Sequence, residues 1–414
     1  IATMEGSEFP DQWVIRGNHH DGWNHGAADP LSGMIATLAE AKAVAELAKA
    51  GHPPKRTVIY AAWDAEEPGL IGSTEWAEHH AEDLRKHAVA YLNTDGSSRG
   101  FMNIGGSHTL ERYLNQVTEE LDDPLRDITL KERVKAANLV YGNDKDKAEA
   151  RNRNDFRIYP MGSGSDYTPF LQHLGIASAN LGFGGEASGG SYHTMYDTYE
   201  HYTRFQDPDL LYTSVLPKVT GRATLRLANA TRLPFEFKGF TDNVAMYVSE
   251  LEELADSMRT TTEAENHLIS EGTYEVALDP RKTLGPPLPK APVPHFNFAP
   301  LRNALDRLTA AAESFDKAAE SSVAASEEFN ELLYTTERLL TRDAGLDGRE
   351  WYKHHIYAPG FYTGYGVKTI PGVREAIEQR DYDKVGPQID IAASVLNGLA
   401  DRIEALARQL GGES

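Results

Sequence analysis

The chain has 414 residues, 40% of them hydrophobic, which is enough to bury the core of one large domain and a smaller one, and two domains are expected. Its formal net charge of -21 argues against a nucleic-acid partner, whose phosphates it would repel, and no run of eighteen apolar residues offers a membrane span. Cysteine is absent, so disulfides and thiolate ligands are excluded and any metal must be held by His, Asp or Glu.

The first part of the chain alternates strand-like and helical stretches, which is typical of an α/β sheet covered by helices. The apolar run at residues 13–15 predicts a buried strand, residues 17–30 form a polar loop, and residues 31–50 have helical spacing. Further strands are predicted at 57–63, 88–93 and 176–181, and further helices at 69–86, 107–121 and 167–174.

Residues 123–160 are polar and predicted to be irregular. Arg151, Arg153 and Arg157 lie close together there in an otherwise acidic chain. A solvated surface excursion is one interpretation, and a lid that supplies cations to an anionic substrate is the other.

Long amphipathic helices are predicted after residue 235. Three apolar stripes repeat at helical spacing: Val244, Val248, Leu251, Ala255 and Met258; Leu301, Leu305, Leu308, Ala312, Phe315 and Ala319; Leu396, Leu399, Ile403, Leu406 and Leu410. A Pro-rich connector at 286–294 should run extended between the first two. We therefore expect an α/β domain at 1–235 and a helical bundle at 236–414, whose apolar faces need partners.

Side chains that can bind metal follow each predicted strand of the first domain. They are His19, Asp21 and Asp29 after the first strand, Asp64, Glu66 and Glu67 after the second, Asp95 after the third, and His193 in a later Gly-rich loop. Any one of them alone could be a turn residue or a helix N-cap. Gathered at one sheet edge they would repel or lie unpaired unless a cation joined them, and imidazole with carboxylate suits zinc.

Two His and three carboxylates fit a pair of zinc ions with one carboxylate bridging. One member of the adjacent pair Glu66 and Glu67 can then bind metal while the other stays free as a general base. Asp21 is placed to fix the tautomer of the His19 imidazole from behind the metal.

Several stretches of the chain resemble the co-catalytic dizinc exopeptidases of the glutamate carboxypeptidase II and transferrin receptor group. They occur in the family's order and spacing: residues 17–33, Trp63-Asp64-Ala65-Glu66-Glu67 with residues 69–78, Tyr91-Leu92-Asn93-Thr94-Asp95, Gly162-Ser163-Gly164-Ser165-Asp166, and residues 192–200 beginning Tyr192-His193-Thr194. Residues 355–359 are similar to the segment that closes the family's substrate pocket. The resemblance implies a zinc-exopeptidase (phosphorylase/hydrolase-like) sheet followed by a helical dimerisation domain.

The resemblance also implies roles for single residues. His19, Asp29 and Asp95 would hold one zinc, and Asp29, Glu67 and His193 the other, with Asp29 bridging. Glu66 would be the general base and Tyr192 would stabilise the oxyanion. Asp21 and Asp166 would support the metal ligands from behind. Gly164, Ser165 and Tyr365 would contact the substrate. Glu75 and Glu78 would form half of a calcium site. The implied partners are a small peptide substrate and a second copy of the chain, bound through the C-terminal helical domain.

This chain also departs from the family. Gly364 stands where glutamate-specific members have a lysine, and residues 179–181 are Ala-Asn-Leu where those members have arginines. A strict preference for a C-terminal glutamate is therefore not expected, because an unpaired buried carboxylate is costly. The family's protease-associated domain is not in the sequence, and the chain begins with Ile1, so we expect an N-terminal portion to be missing. An extracytoplasmic location is expected from the family.

Some alternatives stay open. Asp29-Pro30 is either a cis bond that aims the bridging carboxylate or a trans turn, and trans is the commoner state of an X-Pro bond. His20 and His25 are expected to be loop residues rather than ligands, and His354 and His355 to line a pocket or pack. A dizinc exopeptidase is the first functional hypothesis; a catalytically inactive receptor or scaffold and a single-zinc aminoacyl cyclase are the others. The complete ligand set favours the first. The sequence does not distinguish aminopeptidase, carboxypeptidase and dipeptidase action.

Overall fold

A six-stranded mixed sheet forms the centre of the N-terminal region. The computed structural model describes residues 1–187, 189–321 and 325–411, so a few residues of both predicted domains lie outside it. The sheet strands are β1 (Ala2–Met4), β2 (Phe9–His19), β3 (Arg56–Trp63), β4 (Ala88–Asn93), β5 (Gly100–Gly106) and β6 (Ser178–Gly185), in the spatial order β1-β3-β2-β4-β6-β5. The predicted α/β fold class is confirmed.

The four central strands are parallel, and the edge strands β1 and β5 run antiparallel to their neighbours. His19 at the end of β2 pairs with Trp63 at the end of β3, and Asn93 at the end of β4 pairs with Gly17 and Asn180. The chain leaves β2 toward β3 on one side and later continues on its other side with β4. Ligands of open α/β sheets bind at such a reversal of strand order, so the end of β2 is the expected site.

Helices cover the sheet. In the N-terminal region they are α1 (Leu31–Lys49), α2 (Ile71–His79), α3 (Ala81–His87), α4 (Glu111–Glu119), α5 (Leu130–Tyr141), α6 (Asp144–Asn152), α7 (Tyr199–His201) and α8 (Leu211–Asn229). α1 and α8 pack on β2 and β3, while α3 contacts β4. The apolar run predicted as a strand is core, since Val14 and Ile15 are fully buried.

A buried ion pair joins the sheet to α1. Arg16 Nε on β2 donates to Glu40 Oε2 on α1 at 3.0 Å, and both side chains are buried. The guanidinium also donates to the carbonyl of Leu92 on β4 at 2.9 Å and to the hydroxyls of Thr37 and Thr94. Because every charge in this group has partners, burial is tolerated and β2, β4 and α1 are fixed together just below the sheet edge.

Two helical predictions were wrong in detail. Residues 123–160 are not irregular but contain α5 and α6, which begin at capping boxes formed by Thr129 with Glu132 and by Asn143 with Asp146. No residue of α6 is buried, so it has no apolar stripe from which a helix could be predicted. The helix predicted at 69–86 is divided at His80 into α2 and α3.

The C-terminal region consists mainly of long helices. They are α9 (Lys238–Ser270), α10 (Thr273–Ala277), α11 (Ala299–Ser321), α12 (Glu327–Tyr334), α13 (Pro371–Glu378) and α14 (Tyr382–Gly411). The connector before α11 has no regular structure, as predicted. A two-stranded hairpin, β7 (Tyr357–Pro359) and β8 (Val367–Thr369), was not predicted.

The apolar stripes of this region are buried within the chain itself. α11 packs on α14 and α9, and Leu301, Leu308, Leu396 and Ile403 are fully or almost fully buried. These stripes therefore find their partners in neighbouring helices of the same chain, and a homodimer through this region would use other surface of it. Among the described residues, no helix combines the length and apolar character needed to span a membrane.

Candidate metal centre

All six residues predicted as ligands or base come together near the ends of the parallel strands, as four carboxylates around two histidines. His19, the last residue of β2, places Nε2 at 3.1 Å from Asp95 Oδ1, 3.4 Å from Asp29 Oδ1 and 3.9 Å from Glu66 Oε2. Strands β4 and β3 end just before Asp95 and Glu66. Parallel strand ends therefore bring these side chains from three loops to one point, as the sequence predicted.

The second histidine completes a neighbouring group. His193 Nε2 lies 2.9 Å from Glu67 Oε2 and 3.6 Å from Asp29 Oδ2. Asp29 therefore presents one oxygen to each histidine, which is the arrangement a bridging carboxylate requires. Two sets of donor atoms, each compact enough to surround one ion, are present: His19, Glu66 and Asp95, and Asp29, Glu67 and His193.

One detail of the predicted ligand sets differs. Glu66, predicted as a base and not as a ligand, is grouped with His19 and Asp95. Its oxygen is 3.9 Å from His19 Nε2, whereas the nearer oxygen of Asp29 is 3.4 Å away. Asp29 is thus within reach of both histidines, and Glu66 lies next to the first set.

The electrostatics of the group indicate a missing positive charge. Burial raises the pKa of Glu66 to about 8, and burial is also the main cause of the raised pKa values of Asp29 and Glu67. Burial lowers the pKa of His19, but its interactions with Asp29 and Asp95 outweigh burial and raise that pKa to about 12. Without a cation, the Glu66 carboxyl and the His19 imidazole therefore retain protons at neutral pH, whereas at Asp95 the effect of burial is outweighed by the bonds to His19 and Ser165, which lower its pKa.

The donor set fits zinc. Imidazole nitrogen and carboxylate oxygen are ligands that zinc accepts, and the chain has no thiolate to offer a softer metal. Divalent cations in the two groups would replace the retained protons and pair the carboxylates.

Asp21 connects the loops that carry the ligands. Its backbone carbonyl lies 2.9 Å from His19 Nδ1, while its carboxylate oxygens accept the N–H groups of Glu66 at 3.1 Å and Glu67 at 3.2 Å. The carboxylate was predicted to orient the imidazole, but its nearer oxygen is 3.5 Å from Nδ1. The carbonyl thus orients His19, and the carboxylate holds the turn after β3.

Asp197 holds the loop that carries Asp29, and the sequence analysis gave it no role. Its Oδ1 accepts the N–H of Ala28 at 2.8 Å and its Oδ2 accepts that of Asp29 at 3.1 Å. Asp197 lies in the stretch 192–200 that carries the family resemblance, so a signal was present. Its partner could not be identified from the sequence because 168 residues separate it from Asp29.

Trp23 is a second residue that the sequence analysis missed. Its backbone N–H donates to Glu67 Oε1 at 2.7 Å, and its indole stacks on the His193 ring with centroids 4.9 Å apart and an interplanar angle of 7°. One residue thus contacts two ligands of the second donor group. Nothing in the spacing of the sequence predicts this contact.

Backbone geometry at the site is unusual at several points. The Asp29-Pro30 bond is cis, so the commoner trans state is not the one adopted. Ala65 and His193 have φ values of 55° and 53°, in a region that residues with a side chain seldom occupy. A Cβ atom on Gly33 would lie 2.1 Å from the carbonyl oxygen of Asp95, so this position of α1 requires glycine.

Two further predicted residues lie behind Asp95. The Ser165 hydroxyl donates to Asp95 Oδ2 at 2.5 Å and accepts from Asn93 Nδ2 at 2.9 Å, and the residue is buried. Ser165 therefore contacts a predicted ligand rather than the open site. Asp166 is fully buried, and burial raises its pKa to about 7.

A cavity of about 620 Å³ opens over the two donor groups. Tyr192 borders it, with an exposed ring stacked on His193 at a centroid distance of 3.8 Å. On another side Gly164 and Tyr365 meet: Gly164 has a φ of 107°, and a Cβ there would lie 2.9 Å from the Tyr365 ring. The turn between β7 and β8 thus brings Tyr365 of the C-terminal region to the site.

A second cavity of about 390 Å³ continues from the first and shares part of its wall. The shared residues include Gly96, Asn180 and Tyr365, whereas Asn103 and Tyr167 line the second cavity and not the first. Among the described residues, no charged side chain lines this second cavity.

The remaining predicted residues lie elsewhere. Glu75 and Glu78 belong to neither donor group of the described residues, and Glu78 Oε1 accepts from Trp351 Nε1 at 2.5 Å. His20 and His25 are exposed. His354 and His355 are buried, with His354 Nε2 at 3.2 Å from Glu337, so they pack rather than line the site. In the segment 355–359 the strand β7 is buried, and Tyr365 beyond it borders the cavity.

Comparison with known proteins matches one family model to each region. Residues 1–207 match peptidase family M28, and residues 296–404 match the transferrin receptor-like dimerisation domain. The chain is 34% identical over 385 residues to the probable glutamate carboxypeptidase LAMP1 of Arabidopsis thaliana, covering 91% of this chain and 48% of the relative. It is 27% identical over 425 residues to the aminopeptidase NAALADL1 of Rattus norvegicus, covering 98% and 52%.

A solved structure with similarity is BSAP, a zinc aminopeptidase from Bacillus subtilis, at 19% identity and a TM-score of 0.39, covering 55% of this chain and 49% of that one. The chain spans about half the length of the curated relatives it matches. With the family match extending over residues 1–207 and the dimerisation-domain match following it, the chain belongs to peptidase family M28 and to its branch that resembles glutamate carboxypeptidase II and the transferrin receptor.

Proposed function

We propose that this chain is the catalytic part of a dizinc exopeptidase that hydrolyses small peptides. The observation that carries the proposal is the position of Asp29, whose two oxygens approach the two histidines at 3.4 and 3.6 Å. His19 and Asp95 would hold one ion and Glu67 and His193 the other, and Asp29 would offer one oxygen to each.

The adjacent residues Glu66 and Glu67 have different roles in this proposal. Glu67 is engaged by the Trp23 N–H and by His193. Within the described part of the chain the Glu66 carboxylate makes no hydrogen bond, and it borders the cavity where a substrate would lie. Glu66 is therefore the general base.

The residues of the chain can carry the hydrolysis as follows. Zinc held by these residues would supply a Lewis acid that polarises the scissile carbonyl and lowers the pKa of the attacking water to about 7. Glu66 accepts a proton from that water as its oxygen attacks the carbonyl carbon, and gives the proton to the leaving nitrogen as the C–N bond breaks. Burial raises the pKa of Tyr192, so its phenol stays protonated and donates a hydrogen bond to the oxyanion.

The second cavity supports a preference for an uncharged substrate residue. Its described lining contains no cation that could pair with a buried substrate carboxylate. Arg153 and Arg157 do not supply one, because they pair with Glu111 and Glu149 and border a different cavity. Strict glutamate specificity is therefore not part of the proposal, although a relative is named a probable glutamate carboxypeptidase.

A homodimer and an extracytoplasmic location are further parts of the proposal. The dimerisation-domain match supports a homodimer. An extracytoplasmic location follows from the family resemblance alone. Calcium at Glu75 and Glu78 gains no support from the positions of these residues in the described structure.

The first experiment is the zinc content of the purified chain and of Asp29→Ala, measured by plasma mass spectrometry after dialysis against zinc. We expect about two zinc ions per chain and one or none in the variant. Glu66→Gln is the matched comparison, which should keep both ions but lose turnover of N-blocked and C-blocked dipeptides. Less than one zinc in the parent would reject the enzyme proposal and favour the inactive scaffold; one zinc in both proteins would favour the cyclase-like alternative.

A further inference from the structure

A third cavity, distinct from the metal centre, lies between α5, α6 and α9 and has a volume of about 280 Å³. Its charged lining residues are four cations and three carboxylates: Lys135, Lys145, Arg153, Arg157, Asp146, Glu149 and Asp155. Cations thus outnumber carboxylates by one around this cavity, in a chain whose net charge is -21.

Two guanidinium groups in this cavity have unused donors. Arg153 Nη2 donates to Glu111 at 2.7 Å and Arg157 Nε donates to Glu149 at 2.6 Å. In both arginines Nη1 is buried, and it has no hydrogen-bond partner among the described residues. Buried polar groups are normally paired, so two such donors in one cavity indicate an acceptor that comes from outside the chain.

The lining of this cavity also has apolar members. Phe156, Met246 and the ring of Tyr247 contribute to the lining. An occupant with an anionic head and a small apolar body would satisfy the arginines with the first and bury the second. The volume restricts it to a molecule of a few heavy atoms.

We propose that the cavity between α5, α6 and α9 is a binding site for a small organic carboxylate, whose oxygens accept hydrogen bonds from Arg153 and Arg157. The site is separate from the metal centre, but its wall is shared: Tyr159 and Pro160 line both this cavity and the second substrate cavity. Tyr159 is fixed to strand β5 by bonds to Ile104 and Gly106.

The test is titration calorimetry on the full chain with butyrate and benzoate, and with butyramide and benzamide as uncharged isosteres. We expect saturable binding of a carboxylate with a dissociation constant on the order of 1 mM and no binding of its amide. Arg157→Gln should weaken binding at least tenfold. Arg151→Gln removes the same charge six residues earlier on an exposed side chain outside the cavity and should bind like the parent.

A second variant distinguishes loss of the binding site from misfolding of the protein. Arg157→Lys keeps a charge beside Glu149 but has a single terminal nitrogen, so we expect intermediate affinity together with an unchanged melting temperature. If the carboxylate bound at the zinc ions instead of this cavity, Arg157→Gln and Arg151→Gln would have the same effect on its affinity, or none. Equal affinities of Arg157→Gln and Arg151→Gln, binding of the amides as tight as that of the acids, or no saturable binding to the parent would each overturn the proposal.

Discussion

Asp197 holds the backbone of Asp29 with a carboxylate oxygen placed 3.1 Å from its N–H, while its other oxygen holds Ala28 at 2.8 Å. The aspartate proposed to bridge two ions is thus positioned by a second aspartate from the far end of the domain. Both residues come from loops, so their register depends on this contact and not on the sheet.

Replacing Asp197 with Asn should weaken zinc binding at both positions. The amide can accept one of the two N–H bonds but presents a donor to the other, so the Asp29 loop shifts. We expect a 10- to 100-fold loss of zinc affinity, as is usual for residues that support metal ligands. Competition with a zinc chelator measures it, and Glu200→Gln, on an exposed residue close in sequence, is the control. Unchanged zinc affinity would show that the loop holds its position without Asp197.

Replacing Trp23 with Ala should affect one ion more than the other. The backbone N–H to Glu67 survives the substitution, but the ring stacked on His193 is lost. We expect weaker binding of one of the two zinc ions and near-parental binding of the other, because His19 and Asp95 do not contact this ring. Stepwise zinc titration separates the two events, and Trp23→Phe, which retains an aromatic face, should restore most of the affinity. Equal weakening of both steps would contradict the assignment.

An arginine at position 180 should change substrate preference. Asn180 borders both the metal-centre cavity and the uncharged second cavity. In Asn180→Arg a cation could pair with an acidic substrate side chain, so kcat/KM for acidic residues should rise at least tenfold relative to neutral ones. Asn180→Gln, equally without charge, should leave the ratio as in the parent. A ratio that does not respond to arginine would place the specificity-determining contact elsewhere.

Acid should destabilise the protein partly through His108. This residue is buried beside Tyr247 of α9, with 2.6 Å between its Nε2 and the phenol oxygen. Burial, followed by the charges of Arg157 and Arg153, lowers the pKa of His108 from 6.5 to about 3. The unfolded chain therefore binds the extra proton, and stability is lost as pH falls from about 6.5 toward 3.

His108→Gln has no proton to bind, so its free energy of unfolding should depend less steeply on pH in that window. Urea unfolding at pH 7 and pH 5 measures the difference between the two proteins, and His25→Gln, on an exposed loop residue, should follow the parent. Parallel pH profiles for the parent and His108→Gln would contradict the assignment.

The sequence predicted the parts of the fold and site that follow from local pattern. Val14 and Ile15 mark a buried strand, and the ligands follow strand ends, so parallel topology alone places His19, Glu66 and Asp95 together. The polar helix α6 was missed because none of its residues is buried and no apolar period marks it. Trp23 was missed because stacking on His193 depends on where two distant loops meet, which no spacing encodes.

The connections made by Asp21, Asp197 and Arg16 have a consequence for how the protein matures. They fasten the ligand-bearing loops and the strands below them through hydrogen bonds and an ion pair that involve no metal. Small domains that fold only when metal binds lack such supports. We therefore expect the chain to reach its final shape first and to take up ions afterwards, so that the local supply of metal, and not the rate of folding, decides when newly made molecules become active.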